Sequence, residues 1–196
     1  YDKYVNHTDP DLYPNVDWWD TTFRNISNNI RANVNVSGGG KSVRYYVAGS
    51  FYSENGIFKP VKNPQYDPQV GYKKINFRAN VDINVTRLTE LSLSLSNQYE
   101  IKNRLGVAME SVYENTLAVP SVAVVPVFSD GSLSRPIVGT NPYLDLNYTG
   151  YSADFWNNAQ SLISLTQDFS FITPGLKGNA KFSWDARNES TLDKRK

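Results

Sequence analysis

Residues 29–52 read NIRANVNVSGGGKSVRYYVAGSFY, and this stretch decides the fold. Ile30, Ala32, Val34 and Val36 fall on one side of an alternating pattern. Asn29, Arg31, Asn33, Asn35 and Ser37 fall on the other. Past Gly38, Gly39 and Gly40 the alternation resumes, with Val43, Tyr45, Val47, Gly49 and Phe51 against Arg44, Tyr46, Ala48, Ser50 and Tyr52. A period of two sends successive side chains to opposite faces of a strand. Two such runs about a glycine turn therefore predict a β-hairpin. The glycines are expected to supply the positive φ angles of a tight turn.

The device recurs twice, giving hairpins over 29–52, 73–101 and 158–188. In the second, Ile75, Phe77, Ala79, Val81, Ile83 and Val85 oppose Lys74, Asn76, Arg78, Asn80, Asp82 and Asn84. After a turn at 86–89, Leu91, Leu93 and Leu95 alternate with Ser92, Ser94 and Ser96. In the third, Ile163, Leu165, Phe169 and Phe171 lead to a turn at Thr173, Pro174 and Gly175. Leu176, Gly178, Ala180, Phe182, Trp184 and Ala186 follow at alternate positions. Residues 1–28, 53–72 and 102–157 read as loops, punctuated by prolines such as Pro10, Pro14, Pro60, Pro64, Pro68, Pro120 and Pro136. Short helices are expected over 18–23, capped by Asp17, and over about 108–117.

Three features bear on what these hairpins build. The strands run about 10 to 14 residues, against about 5 to 6 in globular proteins and about 9 to 11 for a tilted strand crossing a bilayer. Tight turns alternate strictly with long loops, the asymmetry of outer-membrane barrels. Aromatics gather near strand ends, at Phe51, Tyr52, Tyr99, Phe169, Phe171 and Trp184, as an interfacial girdle would. The expected class is all-β: antiparallel up-and-down hairpins forming part of a large transmembrane β-barrel with long extracellular loops. Leu93 is expected to face lipid near the bilayer midplane and Ser94 to face the lumen. A soluble β-sandwich with one solvated face predicts the same alternation. Strand length and loop asymmetry count against it. Six strands are too few to close a barrel, so the chain is expected to be a fragment of a larger one.

Composition narrows the chemistry. The 196 residues carry a net charge of +1, so no nucleic-acid partner is implied. There is no Cys and a single His, which excludes disulfide staples and makes a His-rich metal site or a catalytic triad unexpected. Glu110 and Glu114 share a helical face, but no nucleophile or base accompanies them. The expectation is no enzyme, no cofactor and no metal. Asp9, Asp11, Asn15 and Asp17 place several oxygens in one loop, yet their spacing fits no EF-hand and a solvated loop explains them.

Ligand or lid-contact candidates are Trp18, Trp19, Tyr143, Tyr148, Tyr151 and Trp156, since aromatic rings stack on sugars and anchor interfaces. Packing of the loops against the rim, or an interfacial girdle, explains them as well. Arg31, Arg44, Arg78 and Lys181 are candidates for the lumen face, where they could steer an anionic ligand.

YPNVDWWD, NVSGGGKSVRYYVAGSFYSENGIFK, INFRANVDINVTRLTELSLSLS, and NPYLDLNYTGY leading to QDFSFITPGLKGNAKFSWD together resemble one family, the SusC/RagA-type TonB-linked outer-membrane proteins. The resemblance covers the chain in order. It implies residues 1–196 of a partial TonB-dependent receptor barrel in the cell outer membrane, the plug and TonB box lying outside them. Pairing with the acids of that plug explains Arg31, Arg44, Arg78 and Lys181 better than an anionic ligand does. It implies import of oligosaccharides or peptides, a SusD-like lipoprotein lid, contact with outer-membrane lipid, and energy drawn from TonB through parts not present. The loops over 1–28, 53–72 and 102–157 would be extracellular and the tight turns periplasmic. The rival reading is a soluble β-rich carbohydrate-binding or adhesion module.

Overall fold

The structure, a computed structural model, describes residues 2–61, 66, 68–137 and 139–196. Six strands form one antiparallel sheet in chain order: β1 (Asn29–Gly39), β2 (Val43–Asn55), β3 (Gly71–Asn84), β4 (Thr89–Leu105), β5 (Gly150–Asp168) and β6 (Lys177–Arg195). Each strand pairs with its neighbour in sequence, and β1 and β6 are the two open edges. Four helices lie outside the sheet among the described residues: α1 (Asp2–Val5), α2 (Trp18–Thr22), α3 (Met109–Ala118) and α4 (Pro142–Tyr148). Pro64, one of the expected loop prolines, lies outside the described residues.

The register turns the alternation into two faces. Val36, Val47, Ala79, Leu95, Ser161 and Trp184 stand in one row across all six strands. A row nearer the tight turns holds Val43, Ile83, Leu91, Leu165 and Ala180. A row nearer the long loops holds Ala32, Phe51, Ile75 and Tyr99, then changes to Asn157 and Asn188. Leu93 does share the apolar face, beside Val81 and Ile163, but the middle row belongs to Leu95. Ser94 lies on the polar face, donating to Asn80 Oδ1 at 2.8 Å.

The strands reach further than their alternation does. β4 continues to Leu105, β5 begins at Gly150 instead of near 158, and β6 runs to Arg195 instead of 188. These extensions leave the apolar band on the long-loop side, where neither face needs to be greasy, so the two-residue period fades. The first turn also differs in mechanism. A Cβ on Gly39 would stand 2.7 Å from Arg44 Cα, so that glycine serves close backbone approach and not a left-handed conformation. Gly150 does need its freedom: its φ is +85° and a Cβ there would lie 2.0 Å from Lys194 O.

The hydrophobic core sits in the loops and not on the sheet. Phe23, Phe58, Leu105, Val112 and Leu146 pack together, drawn from the segments before β1, between β2 and β3, at the end of β4, and from α3 and α4. Burying side chains of this size contributes roughly 1.5–3 kcal/mol each. A short ladder ties two of these segments, with Arg24 N donating to Ile57 O and Lys59 N to Thr22 O, both at 2.8 Å. Asp17 caps α2, its Oδ1 accepting from Asp20 N at 3.0 Å. α4 is unforeseen: Asn141 caps it by accepting from Tyr143 N at 3.0 Å, with Pro142 in its first turn. Between Ala118 and Gly139 the described residues form only an isolated bridge, Val127 to Leu133.

Candidate functional site

The polar face of the sheet is built from the residues that alternate with the apolar rows. It is organised in belts. Nearest the tight turns, Arg44 Nη2 lies 3.1 Å from Glu90 Oε1 and 3.8 Å from Asp82 Oδ2, while Ser92 Oγ donates to Asp82 Oδ1 at 2.7 Å. The register demands this cluster, since Arg44 faces Asp82 across β2 and β3, and Asp82 faces Ser92 one rung from Glu90.

The middle belt is almost neutral. Asn33, Asn35, Ser50, Asn76, Gln98 and Gln160 line an open groove there. Amides and hydroxyls cross-link the strands: Asn76 Nδ2 donates to Ser50 Oγ at 2.9 Å and Ser96 Oγ to Gln160 Oε1 at 3.3 Å. Arg78 enters this groove as its cation.

Toward the long loops the face becomes charged and aromatic. Trp156 lines a groove with Tyr72, Glu100, Lys102 and Arg187. Lys74 Nζ lies 3.4 Å from Glu100 Oε1, and the Arg31 guanidinium sits 5.4 Å from the Tyr52 ring centre. Above them Asp154 is buried, with only 7% of its side chain accessible. Its Oδ1 accepts from Thr191 Oγ1 at 2.8 Å. Its Oδ2 takes no hydrogen bond, and the Arg104 guanidinium beside it supplies the compensating charge.

The six aromatic candidates do not converge. Trp18 is 4% exposed and its Nε1 donates to Pro120 O at 3.4 Å, so burial removes it from any ligand or lid. Trp19 is half exposed, 4.6 Å from Phe23 and 6.3 Å from Tyr113 between ring centres. Tyr143 and Tyr148 neighbour each other on α4 at 6.3 Å, and burial, then the Tyr148 phenol, pushes the Tyr143 phenol up. Tyr151 stacks on Tyr66 at 5.9 Å. Trp156 stands on the polar face, paired in register with Glu100 and Glu189, so a lipid-facing girdle does not account for it. Tyr52 likewise belongs to the polar face, opposite Arg31 and Lys74.

Among the cation candidates, Arg44 is ion-paired and Arg31 is stacked, whereas Arg78 and Lys181 have no ion-pair partner among the described residues. The loop residues Asp11, Asn15 and Asp17 have separate tasks. Asp11 Oδ1 accepts from Ser129 N at 3.0 Å, Asn15 Nδ2 donates to Tyr4 O at 3.2 Å, and Asp17 caps α2. Asp130 holds its carboxyl below the usual range because the Ser132 hydroxyl and amide both bond to it. Among the described residues no group of three acids or histidines gathers as a metal site. Asp185 was not singled out by its sequence. It stands in the same row as Arg78, a relation that only the register of four strands reveals.

Comparison with solved structures adds the wider architecture. The chain superposes on the RagAB peptide importer in its closed-closed state with a TM-score of 0.64 and 18% identity, covering 92% of this chain and 20% of that one. A second structure, of the RagAB peptide transporter, gives a TM-score of 0.63 and 17% identity over 91% of this chain and 19% of that one. No family model matches the chain, and no curated protein matches it significantly. At such identity the likeness concerns the fold: an antiparallel all-β sheet shared with a β-barrel transporter. The chain spans about a fifth of the length of these solved chains.

Proposed function

We infer that this chain is a stretch of the barrel wall of a SusC/RagA-type, TonB-dependent outer-membrane importer. Its apolar face meets lipid and its polar face lines the lumen. The cargo class is peptide or glycan, and a surface lipoprotein partners the long-loop side. The observation that carries this reading is the uncovered apolar face. Val34 is 66% exposed, Leu95 49% and Phe182 66%, while the chain's core lies in the loops. A soluble sandwich would spend those side chains on a second sheet.

The band also has a suitable height. From the Val43 row to the Phe51 row is about 27 Å along the strand, or about 20 Å once tilted, close to the ~25 Å apolar belt of outer-membrane barrels. The likeness to the RagAB structures supports the barrel and a lipoprotein partner in general.

The test uses single cysteines replacing Trp184 and Trp156 in the full-length protein, each carrying a fluorophore, beside an unsubstituted control. In vesicles, lipid brominated on its acyl chains should quench the probe at 184 and spare the probe at 156. Equal quenching of both, or of neither, would refute the lipid-facing assignment. Topology has its own check. A cysteine at Ile57, which is 51% exposed in a long loop, should react with an impermeant thiol reagent on whole cells, and one at Ser42 should not.

A further inference from the structure

The two faces of the sheet divide its charges unequally. Every aspartate and glutamate on the six strands, from Glu54 and Asp82 to Asp185 and Asp193, lies on the polar face. The apolar face carries no acid among the described strand residues. Its cations are Lys73 and Lys194, both at the long-loop end and both outside the apolar band. Lys73 occupies the first row beyond that band, next to the row of Phe51, Ile75 and Tyr99.

The strand neighbours of Lys73 all belong to this chain. It stands on β3, so those on its own face come from β2 and β4. Ser53 and Ile101 flank it, and Asn55, Gly71 and Asn103 form the next row outward. Anything that fills the lumen meets the opposite face. Lys73 and Asn55 are exposed and Asn103 is half-buried. Among the described residues Lys73 has no ion pair, and the side-chain amides of Asn55 and Asn103 make no hydrogen bond. Outside the ladder Asn55 uses only its backbone, N donating to Asn28 O at 3.1 Å and O accepting from Ser27 Oγ at 2.5 Å. Between the two amides Gly71 leaves a gap, where an added Cβ would meet only Glu54 O, at 3.2 Å. The amides flank that gap at about 5 Å on either side, and Lys73 lies about 7 Å away along β3.

We propose that Lys73, Asn55 and Asn103 hold the terminal phosphate of an outer-leaflet lipid whose acyl chains lie over Phe51, Ile75 and Tyr99. This rests on the apolar face meeting lipid, and it adds what one of those lipids carries. A lysine keeps its apolar stem on the greasy row and lifts its ammonium to the level of the headgroups. A terminal phosphate presents three acceptor oxygens, and the three side chains around Gly71 all donate. No acid on this face competes for the ammonium or repels the anion. Gly71 leaves room for the phosphate where a side chain would intrude.

A bimane on a cysteine replacing Phe77, two rows into the band on β3, reports on this in the full-length protein. The vesicles are phosphatidylcholine with a minor share of brominated phosphatidic acid, a phosphate monoester, or of brominated phosphatidylcholine, a diester capped by choline. Phosphatidic acid should quench with about fivefold higher apparent affinity, the advantage of one lysine at an anionic lipid surface. Lys73→Gln should bring the two lipids to within about twofold, and Lys73→Arg should keep the preference. Asn55→Ala with Asn103→Ala should lower the preference at least about twofold with the lysine still in place, which a lone interfacial lysine would not show. Lys74→Gln, on the opposite face, should leave it unchanged, and so should excess inorganic phosphate. An unaltered preference in Lys73→Gln or in the double asparagine variant, or displacement by inorganic phosphate, overturns the proposal. Equal quenching by the two lipids also overturns it while leaving the lipid-facing reading intact. Quenching by neither lipid overturns both.

Discussion

Leu146 and Leu95 show how differently the two halves of this molecule use the same side chain. Leu146, in the loop cluster, is 1% exposed against Phe23, Phe58, Leu105 and Val112. Leu95, at the centre of the sheet, is 49% exposed between Ala79 and Ser161. The loop cluster has a dry centre, with α2 and α4 capped by Asp17 and Asn141 beside it. The sheet has no centre of its own and is held by its ladders. Where the apolar residues lie thus separates a part that folds against itself from a part whose apolar face is left uncovered.

The sharpest way to break this comparison is to truncate the loop core. Leu146→Ala should cost about 2–5 kcal/mol, since a fully buried leucine leaves both lost transfer energy and a cavity. The loss should appear as faster hydrogen exchange in 106–149 and should be the same in detergent and in any bilayer. A penalty that follows lipid thickness would place the cluster in the membrane.

Next in size is Leu95→Arg, a charge placed in the middle row of the apolar face. It should destabilise the barrel by about 2–4 kcal/mol in a bilayer, whereas Ser94→Arg on the opposite face should be nearly neutral. Unfolding both variants from bilayers of two thicknesses decides the matter. Equal costs, or a Leu95→Arg cost indifferent to lipid, would argue for a soluble sheet.

The smallest effect is local. Asp17→Ala removes the acceptor for Asp20 N and should cost about 1 kcal/mol, seen as fraying of α2 by amide exchange while β1 to β6 keep their protection. Loss of protection in the sheet would show the two regions to be one cooperative unit.

The sequence disclosed these regions unequally, for physical reasons. Inside the apolar band every second residue is apolar and its neighbours are polar, so β1 to β3 could be read residue by residue from Ile30 to Ile83. Beyond the band that selection stops. The start of β5 puts Trp156 among the polar positions and Asn157 among the apolar ones, which hides the strand. The end of β6 reads NESTLDKR, a charged tail in sequence but a paired strand in space. The loop core assembles from distant segments with no periodicity, so Phe23 and Phe58 gave no sign of meeting. α4 did carry its signature, Asn141 followed by Pro142, and could have been read from it. On the polar face, Arg78 was visible as a cation at an alternate position, and the order of the strands was visible too. Its alignment with Asp185 was not, because register across β4 and β5 depends on where 106–149 returns the chain.

The strand order β1-β2-β3-β4-β5-β6 also sets how the sheet can assemble in time. Every strand joins the one just made, so β1 to β4 can zip by contacts close in sequence, the fast kind. The pause comes at 106–149, where β5 must find β4 across a long excursion and loop closure is slowest to be repaid. Until it does, β4 presents a bare edge 17 residues long. After it, β6 presents one of 19, studded with Lys177, Lys181, Asp185, Arg187, Glu189, Asp193, Lys194 and Arg195. Charges of both signs along an open edge discourage it from pairing with a stranger.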